Sequence, residues 1–130
     1  MTILQPPGWQ RPRGYANGVV ARGRQIFVAG QVGWNEQEIF TNQDLVAQIE
    51  QALRNVLTIL AEAGAGAEHI VRLNWYLADA REYNARLTEI GDVYRTHIGR
   101  HFPAMTAFEV AGFVEEGAKV EIEVTAVLPD

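Results

Sequence analysis

The segment that most constrains this chain is Lys119–Leu128, which reads KVEIEVTAVL. Its residues alternate without interruption. Val120, Ile122, Val124, Ala126 and Leu128 fall on one side, and Lys119, Glu121, Glu123, Thr125 and Val127 on the other. Successive side chains of a strand point to opposite faces, so the segment predicts a strand with one apolar and one mixed face. A lone strand cannot bury its apolar face, so the rest of the chain must supply sheet partners and a cover. If helices cover one side only, the mixed face is left wet or pressed against another subunit.

The cover is readable upstream. Leu45, Ile49, Leu53, Val56 and Leu60 recur at helical spacing, with Val46 and Leu57 widening the stripe. Thr41 and Asn42 offer an N-cap, Asp44 places negative charge in the first turn, and Gly64 and Gly66 stop the helix near Ala63. A second helix is expected from about Arg81 to Ile98, ending at Gly99 before Pro103. Four further strands are expected. Tyr15–Val20 and Gln25–Val32 join through the turn at Arg22–Arg24, and the apolar run Ile26–Gly30 predicts burial on both sides. Ile70–Leu77 alternates imperfectly, with Arg72, Asn74 and Tyr76 against Ile70, Leu73, Trp75 and Leu77; Met105–Val110 is the last. Trp34–Phe40 reads as a polar loop. The order is ββαβαββ, an α+β fold with two helices packed on one face. With no linker or low-complexity tract, residues 1–130 form a single domain. Two similar strand–helix units suggest a pseudo-repeat without sequence self-similarity.

Composition removes several chemistries. The 130 residues include no cysteine and no serine, so thiolate, disulfide and Ser-His-Asp arrangements are excluded. No segment approaches the roughly 20 apolar residues that cross a bilayer, and the start, MTILQPPGWQRPRG, lacks the order of a signal peptide. A cytoplasmic protein without membrane contact is expected. The net charge of −5 opposes nucleic-acid binding, and Arg11, Arg13, Arg22 and Arg24 read as a solvated basic edge. The single lysine, Lys119, stands beside carboxylates, where an ammonium pairs rather than attacks. His97 and His101 are four apart, but Gly99 intervenes and no third ligand is near, so no metal or other cofactor is expected.

The stretch His101–Pro129, HFPAMTAFEVAGFVEEGAKVEIEVTAVLP, resembles the C-terminal signature of the RidA family of reactive intermediate deaminases, also called the YjgF family. Tyr15-Ala-Asn-Gly-Val is similar to the family's early Tyr-x-x-Gly segment, and Ile26–Val32 to its second strand. Gln48–Gly64 resembles its first helix, and His69–Asp79 its central strand. Each piece is weakly specific alone; their order and spacing over nearly the whole chain are strongly specific. The resemblance implies a fold similar to small bacterial chorismate mutases, a homotrimer, and small-molecule clefts at the three subunit interfaces.

It also implies site residues. The cleft tyrosine matches Tyr15, the backbone-donating glycine matches Gly30 beside Gln31, and the carboxylate that activates water matches Glu121. Two positions depart. The asparagine of the second helix falls at Thr88, and the arginine that holds the substrate carboxylate falls at Met105, with Ala107 two residues further on. Charge-assisted hydrogen bonds of such an arginine contribute roughly 1.5–3 kcal/mol each. A carboxylate buried against a thioether instead bears a cost of several kcal/mol. Either another cation serves, with Arg72 and Arg100 as candidates, or the ligand is flatter and more apolar than an amino-acid-derived anion, as the adaptable methionine suits.

Plainer readings stand beside these. Tyr15 also fits an interface aromatic, Gly30 a tight strand end, and Glu121 and Glu123 solvated or paired strand carboxylates. Trp9, Trp34 and Trp75 fit core or interface positions, with Trp34 the one that could line the cleft. Two functions follow from the resemblance. One is a deaminase or hydrolase of a small enamine, imine or related metabolite, its substrate altered by Met105. The other is a non-catalytic trimeric module that binds a small molecule or docks a partner.

Overall fold

A computed structural model describes residues 1–130. The chain runs β1 (Thr2–Leu4), β2 (Gly18–Val20), β3 (Arg24–Val32), α1 (Leu45–Ala61), a 3-10 turn at Ala67–His69, β4 (Ile70–Leu77), α2 (Ala80–Ala85), α3 (Leu87–His97), β5 (Ala104–Glu109) and β6 (Val120–Leu128). The alternating segment β6 lies inside a four-stranded sheet of order β3-β6-β4-β5, antiparallel to both neighbours, while β4 and β5 run parallel. That parallel pair needs a crossover connection, which α2 and α3 supply.

Val120, Ile122, Val124 and Ala126 are all buried under the helices, with Leu73, Trp75 and Leu77 of β4 beside them. From α1 come Leu45, Ile49, Ala52, Leu53, Val56 and Leu60; from α3 come Ile90 and Tyr94. Each fully buried Leu, Ile or Val contributes roughly 1.5–3 kcal/mol. The imperfect alternation of β4 has a local cause. A register shift between Ile70 and Arg72 lets Ile70 and Leu73 both reach the core.

Four details differ from the sequence reading. Residues 18–20 pair with the unexpected strand β1 in a separate two-stranded sheet, rather than with β3. The run 26–30 is not buried on both sides, because helices cover only one face of the sheet; Val28 is buried but Phe27, on the open face, is 72% exposed. Asp44 is itself the N-cap of α1, its carboxylate accepting from the Ala47 N–H at 3.2 Å, while Asn42 Oδ1 accepts from the Asp44 N–H. The second helix is broken at Arg86, which leaves helical geometry (φ −124°, ψ 27°) and pairs with both Asp44 and Glu89. The break separates α2 from α3 and links their junction to the start of α1.

One polar side chain is fully buried. Gln48 of α1 donates to the carbonyls of Asn42 (3.0 Å) and Gly117 (2.9 Å) and accepts from the Lys119 N–H (2.8 Å). Every hydrogen-bonding position of that amide that the fold needs is used, so its burial is compensated. No helix is long and apolar enough to cross a membrane.

Candidate active site

Glu121 stands on β6 opposite Val32 of β3 and Tyr76 of β4, on the face away from the helices. The β3–β6 register shifts between Val28 and Gln31, and the shift brings Gly30 against Glu121. A Cβ built on Gly30 would lie 2.5 Å from Glu121 Oε2 and 2.7 Å from its carboxyl carbon. Only glycine leaves room for that carboxylate. Beside it, Gln31 donates from Nε2 to the Ala29 carbonyl at 3.1 Å.

The two carboxylates of β6 have different partners. Glu123 Oε1 accepts from Asn74 Nδ2 and from the Tyr76 hydroxyl, both at 3.0 Å. That bond, with burial and the Glu123 charge behind it, raises the Tyr76 phenol above its ordinary value. Glu121 has no comparable donors. Desolvation, then repulsion from Glu123 and Glu115, pushes its carboxyl above the ordinary range. A carboxylate that binds its proton more tightly than usual is suited to general acid–base work.

Met105 and Ala107 lie elsewhere. On β5 they pair with Leu73 and Trp75, and so share the helix-covered face. There they line a cleft of about 650 Å³ with Tyr15, Trp75, Tyr83, Leu87, Ile90, Tyr94, Phe102, Arg13 and Arg95. Tyr94 stacks on Phe102 at 5.6 Å and donates its hydroxyl to the His101 carbonyl at 2.6 Å. Trp75 meets Tyr83 edge-on at 6.2 Å. The backbone joins the cleft's N-terminal wall to β5, through the Ala16 N–H and the Pro103 carbonyl at 3.0 Å.

The implied site residues therefore form two groups in one protomer. Gly30, Gln31 and Glu121 meet on the open face of the sheet; Tyr15, Met105 and Ala107 meet in the cleft on the other. Thr88 is exposed on α3, adjacent in sequence to the cleft residue Leu87. Neither candidate cation lines the cleft: Arg72 lies on the open face near Tyr76, and Arg100 is exposed outside it. Arg13 and Arg95 line it instead. Arg95 could have been found from its helical spacing to Gly91, four residues earlier; Arg13 offers only its closeness to Tyr15. Trp34 packs against Phe40 at 5.6 Å and is not a cleft residue. The tryptophan that lines the cleft is Trp75. His97 Nε2 meets Glu50 at 3.0 Å and His101 Nε2 meets the Ile70 carbonyl at 2.7 Å, so the two rings do not converge. No group of three His, Asp or Glu side chains is arranged to hold a metal ion.

The fold and the two site groups define a chorismate mutase-like α+β protein with a carboxylate on the open sheet face. Residues 10–128 match the family model described as Endoribonuclease L-PSP. A RutC family protein of Synechocystis sp. is 31% identical, with 99% of this chain and 98% of that one covered. The human 2-iminobutanoate/2-iminopropanoate deaminase is 29% identical over 80% of this chain and 73% of its own. Among solved structures, a Rid family protein of unknown function from Yersinia pestis superimposes with a TM-score of 0.85 at 30% identity, covering 97% of each chain. The YjgF gene product of E. coli gives 0.71 at 29% identity, covering 98% of each. The chain belongs to the RidA (YjgF) family.

Proposed function

We propose that this protein is a RidA-type imine deaminase whose substrate is more apolar than a small 2-imino acid. The pairing of Gly30 with Glu121, whose carboxyl burial raises above the ordinary carboxylate range, beside the replacement of arginine by Met105, carries the reading. Glu121 takes a proton from water as its oxygen attacks the imine carbon. Return of that proton to nitrogen gives a carbinolamine, and passage of its hydroxyl proton to the amine as the C–N bond breaks releases ammonia and leaves a carbonyl. Met105 and Ala107 offer the substrate an apolar wall and no guanidinium.

A complete site in this reading is assembled between subunits of a homotrimer. Glu121 and Met105 occupy opposite faces of one sheet, so the open face of one protomer would be set against the cleft of the next. The half-buried polar residues and exposed Phe108 on that open face support such an interface. The net charge of −5 weighs against RNA as the substrate, and the cysteine-free composition agrees with a cytoplasmic location.

Two measurements test this. Imines generated in situ by an amino-acid oxidase are presented to the protein and to an arginine-bearing relative. Hydrolysis of apolar imines with little on 2-iminobutanoate is expected, and equal rates on both overturn the altered specificity. Binding without turnover on any imine would make the protein a small-molecule-binding module instead. Light scattering should give three times the 14.5 kDa chain mass, and a monomer would end the intersubunit site.

A further inference from the structure

Tyr76 of β4 stands directly across from Glu121 of β6, and Asn74 directly across from Glu123. The phenol nevertheless passes over its own register partner. Its hydroxyl donates diagonally to Glu123 Oε1 at 3.0 Å, the same oxygen that accepts from Asn74 Nδ2 at 3.0 Å. Phe108 of β5 meets the Tyr76 ring edge-on at 5.3 Å and steadies that direction. Glu121, half-buried against Gly30, is left with no side-chain hydrogen bond inside its own protomer. The charges around it supply no substitute. Lys119, two residues earlier on the same side of β6, pairs with Glu82 at 3.2 Å. Arg72 lies opposite Thr125, beyond Glu123, and the preceding loop brings only Glu115. From β3 come Gly30, Gln31 and Val32, none of them charged.

We propose that Glu123 is a positioning residue for Glu121: it draws the Tyr76 and Asn74 donors to itself and leaves the Glu121 carboxylate unbonded, open to exchange a proton with water. A carboxylate that accepts a phenol hydrogen bond is stabilised in its charged form and becomes a poorer base. Two residues along a strand span about 6.5 Å, so the Glu123 carboxylate also repels negative charge on Glu121. Both effects strengthen the hold of Glu121 on its proton. The use of that proton rests on the deaminase reading, whereas the arrangement of the donors does not depend on turnover.

The test follows Glu121 itself, by carbon NMR of protein carrying ¹³C at the glutamate side-chain carboxyls. Glu121→Gln identifies its signal by removal. Glu123→Gln keeps an acceptor for Tyr76 and Asn74 but removes the charge, so the Glu121 titration midpoint should fall by about half a pH unit. Glu123→Ala also frees the phenol to turn to Glu121, and the midpoint should fall by about one pH unit or more. Adding Tyr76→Phe to Glu123→Ala should recover most of that extra fall. The acid limb of kcat/KM on an imine should follow the same order, which a merely structural role for Glu123 does not produce. A midpoint unmoved by Glu123→Ala, or by the isosteric Glu123→Gln if the alanine variant does not fold, would overturn the assignment. So would a fall of equal size with and without the Tyr76 hydroxyl. The expected order of midpoints without turnover on any imine would keep the assignment and remove the deaminase reading; turnover with one acid limb common to all variants would do the reverse.

Discussion

Gly30 and Glu121 sit so close across β3 and β6 that one hydrogen on the glycine is all the space between them allows. Their Cα atoms are not register partners; the irregularity between Val28 and Gln31 brings them together. A side chain at position 30 would meet the carboxyl group, its carbon and Cγ at once, so the whole glutamate would have to swing away.

Gly30→Ala should therefore damage function more than folding. The glycine lies in an ordinary negative-φ strand, so alanine adds no backbone strain. The expected result is a roughly tenfold to hundredfold loss of kcat/KM for an imine substrate, since small misplacements of a reacting group cost that much. Thermal melts of the same variant should shift by only a few degrees.

Glu121→Gln separates site chemistry from stability by pH. The Glu121 carboxyl is raised in the folded protein, so the unfolded chain ionises more readily and its ionisation draws stability away. That contribution is whole below the unfolded value and is lost as pH rises through the folded one. The glutamine variant should melt above the wild type at pH 7 and match it below about pH 3.5. Melting curves across that range check the sign, and turnover should fall at every pH.

Gln48→Leu removes three hydrogen bonds and leaves the Lys119 N–H and the Asn42 and Gly117 carbonyls without this partner at a part-buried site. A loss of about 1–3 kcal/mol in urea denaturation is expected, from three lost hydrogen bonds whose backbone partners water can partly reach.

Asp44→Ala should cost about 1–2 kcal/mol as a lost N-cap, and it also releases the solvent-screened Arg86 partner. The Arg86 hydrogen bond, with the Ala47 N–H assisting, holds the Asp44 carboxyl below its usual value. The wild type's advantage is thus present above the unfolded value and fades as pH falls through the folded one. Urea titrations at neutral and acid pH measure both.

Met105→Arg introduces the guanidinium that the family resemblance implies at this position. Calorimetry should show 2-oxobutanoate affinity rising by about tenfold, the worth of one charge-assisted hydrogen bond. No gain in an intact oligomer would mean that the cleft around position 105 is built for another ligand.

The sequence was most legible where periodicity was strict. β6 and α1 follow from alternation and from the 3.6-residue stripe, because burial imposes both patterns directly. β4 keeps its expected bounds, and its broken alternation is a register shift that single-strand patterns do not reveal. Phe27 was misplaced because an apolar run does not say whether both faces of its sheet are covered. Arg86 was misplaced because its break depends on Asp44, 42 residues away. The site was legible residue by residue but not as an arrangement. Parity along β6 places Glu121 opposite Val120, yet only the pairing of β5 with β4 shows that Met105 faces the other way. The cations were missed for the same reason: Arg13 and Arg95 reach the cleft from an N-terminal segment and a helix whose packing no local pattern encodes.

Gln48 also has a consequence in time. Its amide joins Lys119, 71 residues further along the chain, to the first helix, and it joins Gly117 across nearly the same span. Contacts of such long sequence separation reward the chain only after the intervening loop has closed. The turn that carries Glu115 can thus be fixed only once α1 and β6 are docked, which makes it a late event in folding. Since Glu115 helps set the proton affinity of Glu121, the chemistry of that carboxylate matures last, after the core that supports it has formed.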